Sequence, residues 1–198
     1  MTTTAKLNRA FSLFDEANSN DPNKEIAGGK TYPKEVLYGI RMTNVLNAFE
    51  PNASQALQLT ARCQHICRWE IPRDSYEMNR TGYLKWRQEL KKYHAAKAKE
   101  LLLKLEYSQD IIKQVEFLLL KKQLKKNEET QTLEDVICLV FLEYYFKSFA
   151  AKHDETKVID ILQKTWRKMS KKGHKAALKI AYSKESSKLV HKAISGAL

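Results

Sequence analysis

Arginine and aromatic side chains are concentrated in one stretch of the sequence, between residues 62 and 87. Guanidinium groups bind phosphate or carboxylate through two parallel hydrogen bonds, and aromatic rings stack on bases or sugars. Because lysine far outnumbers arginine elsewhere in the chain, we predict a site for a small anion here, a phosphorylated small molecule or a nucleotide. The predicted ligand-binding residues are Arg62, Arg68, Trp69, Arg73, Tyr76, Tyr83, Trp86 and Arg87. The alternative is aromatic packing, with the arginines paired to Glu70, Asp74 and Glu77.

Two histidines and an acidic pair suggest a second chemistry, that of a metal centre. Imidazole and carboxylate ligands suit zinc, iron or manganese, and helix bundles hold such ions between facing helices. We predict His65, His94 and Asp135 as ligands of a divalent metal, with Glu134 as a less favoured substitute. The alternative is structural, because a lone histidine is often a core residue and a helix N-terminus can stabilise a carboxylate.

Helical periodicity predicts the elements that must position these residues. The composition of Asn18 to Lys30 is typical of a loop, and the offsets between Arg62, His65 and Trp69 place them on one helix face. The segment 133–150 is apolar on most faces, which predicts a central buried helix. Gly173 is expected to end the helix over residues 155–170. The predicted helices cover residues 4–17, 33–50, 54–69, 81–104, 108–119, 133–150 and 155–170, with one or two more in the last 25 residues.

The pattern as a whole predicts an all-α fold. Strand-like alternation is absent, and six Gly and four Pro are too few for a turn-rich sandwich or barrel. We therefore predict a single-domain bundle of seven to nine helices over residues 1–198, in which residues 174–198 form a basic helical tail.

The positive charge is unevenly distributed along the chain. The 198 residues carry a formal net charge of +12. Residues 85–126 hold 12 cationic and 5 acidic side chains, residues 127–163 hold 3 and 8, and residues 164–198 hold 10 and 1. Such blocks are typical of proteins that contact a polyanion, although solvated helix faces have the same composition. Nonspecific contact with RNA through the lysine-rich blocks is therefore one expected interaction.

Composition also limits the compartment. No stretch approaches 18 uncharged apolar residues, so no membrane span is expected. The first 18 residues lack the apolar core of a secretory signal. Three cysteines do not suggest a disulfide framework, which favours a reducing cytoplasm.

Four segments resemble an uncharacterised family called domain of unknown function 4202. They are ARCQHICRWEIPRDSY, GYLKWRQELKKYHA, ETQTLEDVICLVFLEYYF and KTWRKMSKKGH, and the upstream FDEANSNDP and YGIRMTNVLNAF fit the family as well. The resemblance covers about residues 8–180. It implies a small, soluble, all-helical protein and carries no established activity.

A weaker similarity is to the HD-type metal phosphohydrolases. In that superfamily a first histidine, a His-Asp pair and a later aspartate lie on helices. His65, His94 and Asp135 occur in this order, with Arg62 three residues before His65, whereas Ala95 stands where the paired aspartate is expected. The resemblance implies an HD-like arrangement with a degenerate metal site.

Three functions are compatible with these features. The first is an HD-like protein that binds a phosphorylated metabolite or nucleotide and is a metal-dependent phosphohydrolase if its metal site is intact. The second is a non-catalytic binder of RNA or another polyanion. The third is an interaction scaffold without a small-molecule site, in which the polar motifs would lie apart.

Overall fold

The computed structural model of the chain describes residues 2–195. Within that range it is mostly helical, with ten α-helices and one two-stranded β-hairpin. The helices are α1 (Thr3–Ser19), α2 (Lys34–Phe49), α3 (Gln55–Arg62), α4 (Arg80–Lys104), α5 (Gln109–Leu119), α6 (Glu128–Val140), α7 (Phe146–Ala150), α8 (Glu155–Lys168), α9 (Lys171–Ala177) and α10 (Lys184–Ser195). None of these helices is long and apolar enough to cross a membrane.

The hairpin corrects the expectation of a loop over Asn18 to Lys30 and of a purely α fold. Strands β1 (Lys24–Ala27) and β2 (Lys30–Pro33) pair antiparallel. Gly28 and Gly29 form the two-residue turn and both have positive φ, +55° and +75°, which glycine adopts without steric cost. Alternation does not reveal such short strands, because no residue of either strand is fully buried.

The described residues form two compact units, each with its own core. The first unit comprises residues 2–47 and Pro51–Lys122, and the second comprises Ala48–Glu50 and residues 123–195. In the first unit α1 packs on α3 and α4, and α5 packs on α3 and α4. Its fully buried side chains include Phe14, Met42, Leu59, Leu102 and Leu118.

Helix α2 approaches the end of α3 closely because of a glycine. A Cβ added at Gly39 would lie 2.7 Å from the backbone oxygen of Arg62, closer than real Cβ contacts allow. Glycine at this position therefore lets the backbones of α2 and α3 meet. This contact brings the first turns of α2 near the residues that follow α3.

Helix α3 ends seven residues earlier than the periodicity predicts. It stops at Arg62, and the chain then turns through Cys63 to a left-handed Cys67 with φ of +49°. The prediction that Arg62, His65 and Trp69 share one helix face is therefore wrong. Two short 3-10 turns, Arg68–Glu70 and Arg73–Ser75, lead on to α4.

The second unit contains the apolar segment predicted as a central helix. That segment is α6, a π-helical turn at Phe141–Tyr145 and α7 in succession. Burial is high in α6 and lower beyond it. Helix α6 packs on α8 and α9, and α10 packs on α8 through Ser186, Val190 and Ala193. The predicted basic tail thus includes a packed helix.

Gly173 does not end a helix, contrary to expectation. It lies inside α9, where an added Cβ would meet the Asp135 carboxylate at 2.6 Å. Glycine at this position lets α9 approach α6 closely, and it does not form a left-handed C-cap.

Candidate functional site

The polar centre of the first unit is a group of four residues, the His65 cluster: Glu35, His65, Arg68 and His94. Glu35 is the second residue of α2, and His65 lies in the turn after α3. Arg68 opens the first 3-10 turn, and His94 lies in the middle of α4. Four separate elements thus contribute one side chain each.

Glu35 and His65 form a hydrogen-bonded pair. Nδ1 of His65 lies 3.2 Å from Oε2 of Glu35. Glu35 is 5% exposed, whereas a quarter of the His65 side chain reaches solvent. Tyr38 stacks on the imidazole with ring centroids 4.0 Å apart and planes at 10°. Tyr38 of α2 therefore covers one face of the His65 ring, while part of the imidazole remains accessible to solvent.

Burial shifts both members of the pair toward their neutral forms. It raises the pKa of Glu35 to about 7, against the opposing attraction of the Arg68 guanidinium. Burial, together with the positive charge of Arg68, also lowers the pKa of His65 well below its usual value. Near neutral pH Glu35 therefore changes between its protonated and ionised forms, while His65 stays neutral.

His94 has a defined tautomer. It is 4% exposed, and its Nδ1 lies 2.8 Å from the backbone oxygen of Ile66. A carbonyl can only accept, so Nδ1 carries the hydrogen and Nε2 holds a lone pair. Burial, followed by the proximity of His65, lowers the pKa of His94 to about 3. The two imidazole centroids are 5.9 Å apart.

Arg68 is the cation of the cluster. Its Nε lies 3.8 Å from Oε1 of Glu35, and 31% of its side chain is exposed. The guanidinium lies over the ring of Trp86, 4.7 Å from the centroid. Trp86 is itself fixed by a hydrogen bond from Nε1 to the oxygen of Ile71, 2.9 Å long. Stacking and the carboxylate together hold Arg68 in place beside the Glu35–His65 pair.

The other predicted arginines have structural partners. Nε of Arg62 donates to Asp15 at 2.8 Å, and Nη2 contacts the second carboxylate oxygen. Arg73 donates to the backbone oxygens of Tyr76, Glu77 and Asn79, at 3.0, 2.7 and 3.2 Å. These bonds fix the loop that leads into α4.

The remaining predicted ligand residues lie around that loop. Arg87 lies over the ring of Tyr83 at 5.8 Å and donates weakly to its hydroxyl. The Tyr76 hydroxyl donates to Glu89. Trp69 lies in the first 3-10 turn and is partly exposed.

A surface cleft of about 620 Å³ lies beside the loop and is acidic rather than basic. Glu70, Glu77 and Glu89 line it, together with Lys85 and, among the predicted ligand residues, Tyr76 alone. The predicted arginines do not line this cleft. Of the predicted arginines, Arg68 instead lies at the His65 cluster, together with both histidines of the first unit.

Asp135 belongs to the second unit and is 2% exposed. Its Oδ1 accepts hydrogen bonds from the Ser170 backbone N–H at 2.7 Å and from Nε2 of Gln131 at 3.1 Å. The Ser170 hydroxyl donates to Oδ2. Glu134, 5% exposed at its side chain, lies 4.0 Å from Nζ of Lys168. Asp135 thus holds the start of α9.

Of the predicted metal ligands, His65 and His94 lie near each other in the first unit. Within residues 2–195 no group of three or more His, Cys, Asp or Glu side chains is arranged to hold a metal ion. Participation of Asp135 or Glu134 in a metal site stays a prediction.

Glu35 is the member of the His65 cluster that the sequence does not reveal. Its position at the start of a helix is typical of an ordinary first-turn acid, and no local pattern links it to a histidine 30 residues later. Asp15, the partner of Arg62, is likewise distant in sequence, since it lies 47 residues before that arginine.

The fold and the site together define a mostly helical protein whose first unit holds a buried glutamate–histidine pair beside an arginine. The family model described as Domain of unknown function (DUF4202) matches residues 8–190, so the chain belongs to this family. The expected resemblance is confirmed. No curated protein and no solved structure matches the chain.

Proposed function

We propose that the protein binds a small phosphorylated molecule, a nucleotide or a phosphorylated metabolite, at the His65 cluster and hydrolyses it there. The observation that carries the proposal is the Glu35–His65 pair, buried at the carboxylate and open at the imidazole. A partly exposed arginine, Arg68, lies against the same carboxylate.

Arg68 supplies the anion recognition. Its guanidinium is held by Trp86 and Glu35, yet a third of the side chain is accessible. A preorganised guanidinium binds phosphate with two hydrogen bonds and loses little freedom in doing so. Nε of Arg68 lies 3.8 Å from Oε1 of Glu35, which is too far for a hydrogen bond. The N–H groups of Arg68 are therefore available to a phosphate.

His65 supplies the proton transfer. When Glu35 is ionised, Nδ1 of His65 donates to it and Nε2 holds a lone pair. Nε2 then takes a proton from water while the water oxygen bonds to phosphorus and the phosphorus–oxygen bond to the leaving group breaks. Glu35 stabilises the imidazolium that forms, as a carboxylate does behind a catalytic histidine.

Two atoms of the cluster, Nε2 of His65 and Nε2 of His94, are of the kind that binds a divalent metal such as manganese, iron or zinc, but no third His, Cys, Asp or Glu of the described residues is arranged with them. His94 presents a neutral Nε2 because its Nδ1 is bonded to a carbonyl, and His65 presents Nε2 because its Nδ1 faces a carboxylate. Partners of this kind orient histidine ligands in metal sites. When bound, such a metal polarises a phosphate oxygen and lowers the pKa of water. In this proposal the site is a degenerate HD-like one, with Ala95 in place of the paired aspartate.

Replacing Arg68 tests the proposal. We expect the wild-type protein to bind ADP or inorganic phosphate in calorimetric titrations, and Arg68→Gln to weaken binding about tenfold, the loss expected for one charge-assisted contact. Arg9→Gln is the matched control, because Arg9 is an exposed arginine on α1 of the same unit. The proposal is overturned if the wild type binds neither ligand at millimolar concentration, or if Arg9→Gln weakens binding equally.

Polyanion binding by the second unit is the alternative function. Of the ten cationic side chains in residues 164–198, four pair with carboxylates: Lys164, Lys168, Lys172 and Lys192. The others make no ion pair within the described residues. Lys171, Lys175 and Lys179 follow at intervals of four, as do Lys184 and Lys188, and all five are exposed.

A salt titration tests that alternative. RNA binding through these lysines is expected to weaken steeply between 50 and 200 mM salt, because counterions are released. The variant Lys171→Gln/Lys175→Gln/Lys179→Gln is expected to reduce the salt dependence. The variant Lys85→Gln/Lys91→Gln/Lys92→Gln removes equal charge from the first unit and is the control. Binding that is independent of salt, or absent at low salt, contradicts this function.

A further inference from the structure

We propose that Asn18 is a positioning residue for the Glu35–His65 pair, because it binds the backbone on both sides of the pair. The inference rests on the proposed function of the His65 cluster. Asn18 lies near the end of α1 and is 1% exposed, so its amide has no access to solvent.

The two ends of the Asn18 amide contact two different elements. Oδ1 accepts a hydrogen bond from the backbone N–H of Cys67 at 2.9 Å, two residues after His65. Nδ2 donates to the backbone oxygen of Glu35 at 3.4 Å. One side chain therefore spans the start of α2 and the turn after α3. Those are the two elements whose side chains must meet for the proton-transfer pair to form.

The turn after His65 needs such support. Cys67 has φ of +49°, a left-handed conformation that is sterically unfavourable for a residue with a Cβ. His65 and Arg68 flank this residue, so relaxation of its backbone moves both side chains of the cluster. The bond from Cys67 N–H to Asn18 holds the left-handed conformation in place.

Asp21 holds the other side of Glu35. Its Oδ2 accepts from the Glu35 backbone N–H at 3.0 Å, and its Oδ1 accepts from Asn23 N–H at 2.8 Å. Asn18 and Asp21, near the end of α1 and just after it, thus bind the backbone carbonyl and the backbone N–H of Glu35. Of these two residues, Asn18 is the one that also binds the turn after α3, in which His65 lies.

A purely structural role would leave the properties of the site unchanged once stability is taken into account. The measured properties are therefore the midpoint of the His65 imidazole titration, followed by NMR, and the affinity for inorganic phosphate. For Asn18→Ala we expect the His65 midpoint to move and the dissociation constant for phosphate to rise about tenfold. The matched control is Thr60→Val, since Thr60 is fully buried in the same unit and donates only to Ala56 O at 2.7 Å.

A second substitution provides a rescue. Glycine adopts the left-handed conformation without the steric cost, so Cys67→Gly added to Asn18→Ala is expected to restore part of the phosphate affinity. If Asn18→Ala does not fold, Asn18→Ser is measured instead, because its shorter side chain cannot span both backbones.

The outcomes separate this inference from the proposed function. Wild-type protein that does not bind phosphate overturns the proposed function and this inference with it. Phosphate binding and a His65 titration that are unchanged in Asn18→Ala, or changed equally in Thr60→Val, overturn the positioning role alone. Failure of both Asn18 variants to fold shows that Asn18 is required for folding and likewise overturns a specific positioning role.

Discussion

Asp135→Ala is expected to lower the free energy of unfolding by about 3–5 kcal/mol, which is the range for breaking a buried, hydrogen-bonded charged group. Asp135 is 2% exposed and accepts three hydrogen bonds, two of them from Ser170. Ser170 is the N-cap of α9 and accepts from Gly173 N–H at 3.0 Å. Loss of the carboxylate therefore leaves the two part-buried Ser170 donors without their partner and releases the start of α9.

Chemical denaturation followed by circular dichroism measures this effect. Asp160→Ala is the control, because Asp160 forms an exposed pair with Lys164 one turn along α8. Such pairs contribute about 0.3–0.5 kcal/mol. Asp135→Asn keeps the shape of the side chain and is expected to be intermediate. A loss below 1 kcal/mol in Asp135→Ala would show that the carboxylate does not hold α9.

Glu35→Gln is expected to change how stability depends on pH. Burial raises the pKa of Glu35 from 4.5 to about 7, so between these values the native state binds more protons than the unfolded state. The stabilisation from neutral Glu35 is therefore complete below about pH 4.5 and is lost as the pH rises through about 7. Glutamine stays neutral, so the variant should gain about 2–3 kcal/mol relative to wild type between pH 5 and 8.

Both proteins retain their histidines. The lowered pKa of His94, about 3, acts in the opposite direction, since stability from a neutral buried histidine grows as the pH rises from about 3 to 6.5. Because Glu35 is one of the charges that act on His94, this contribution cancels only in part in the difference between the two proteins. Glu16→Gln, an exposed position on α1, is the control and should follow the wild type. If the free energies of unfolding of Glu35→Gln and wild type change with pH in parallel, the pKa of Glu35 is not raised by burial, which would contradict the prediction.

The helices governed by local signals could be predicted from the sequence. Helix α4 was expected over residues 81–104 and covers Arg80–Lys104. Ser108 was expected to cap α5, and its hydroxyl accepts from Ile111 N–H at 3.4 Å. Both depend on residues within a few positions of one another, where periodicity and capping chemistry are sufficient.

Elements that depend on distant contacts could not be predicted in this way. The end of α3 at Arg62 lies against Gly39 of α2, and the left-handed Cys67 donates its N–H to Asn18, 49 residues away. The hairpin is a different case, because its Gly28–Gly29 turn is a local signal whose composition is equally typical of a loop.

In the candidate site, too, some features could be predicted from the sequence and others depend on distant contacts. The residue types were informative, since His65, His94 and Arg68 do lie in one cluster. Their electrostatic partner was not predictable, because Glu35 reaches His65 only through the packing of α2 on the end of α3. Arg62 and Arg73 have the same chemistry as Arg68 in the sequence, and only the structure shows that their guanidinium groups are bonded within the protein.

Titration of the five histidines with inorganic phosphate, followed by NMR of their imidazole groups, tests the central claim most directly. His65 and His94 lie in the first unit, whereas His153, His174 and His191 lie in the second, so the protein contains its own controls. We predict saturable shifts of the His65 and His94 resonances that are lost in Arg68→Gln. Shifts confined to His153, His174 and His191, or no shifts at millimolar phosphate, would contradict a phosphate site at the His65 cluster.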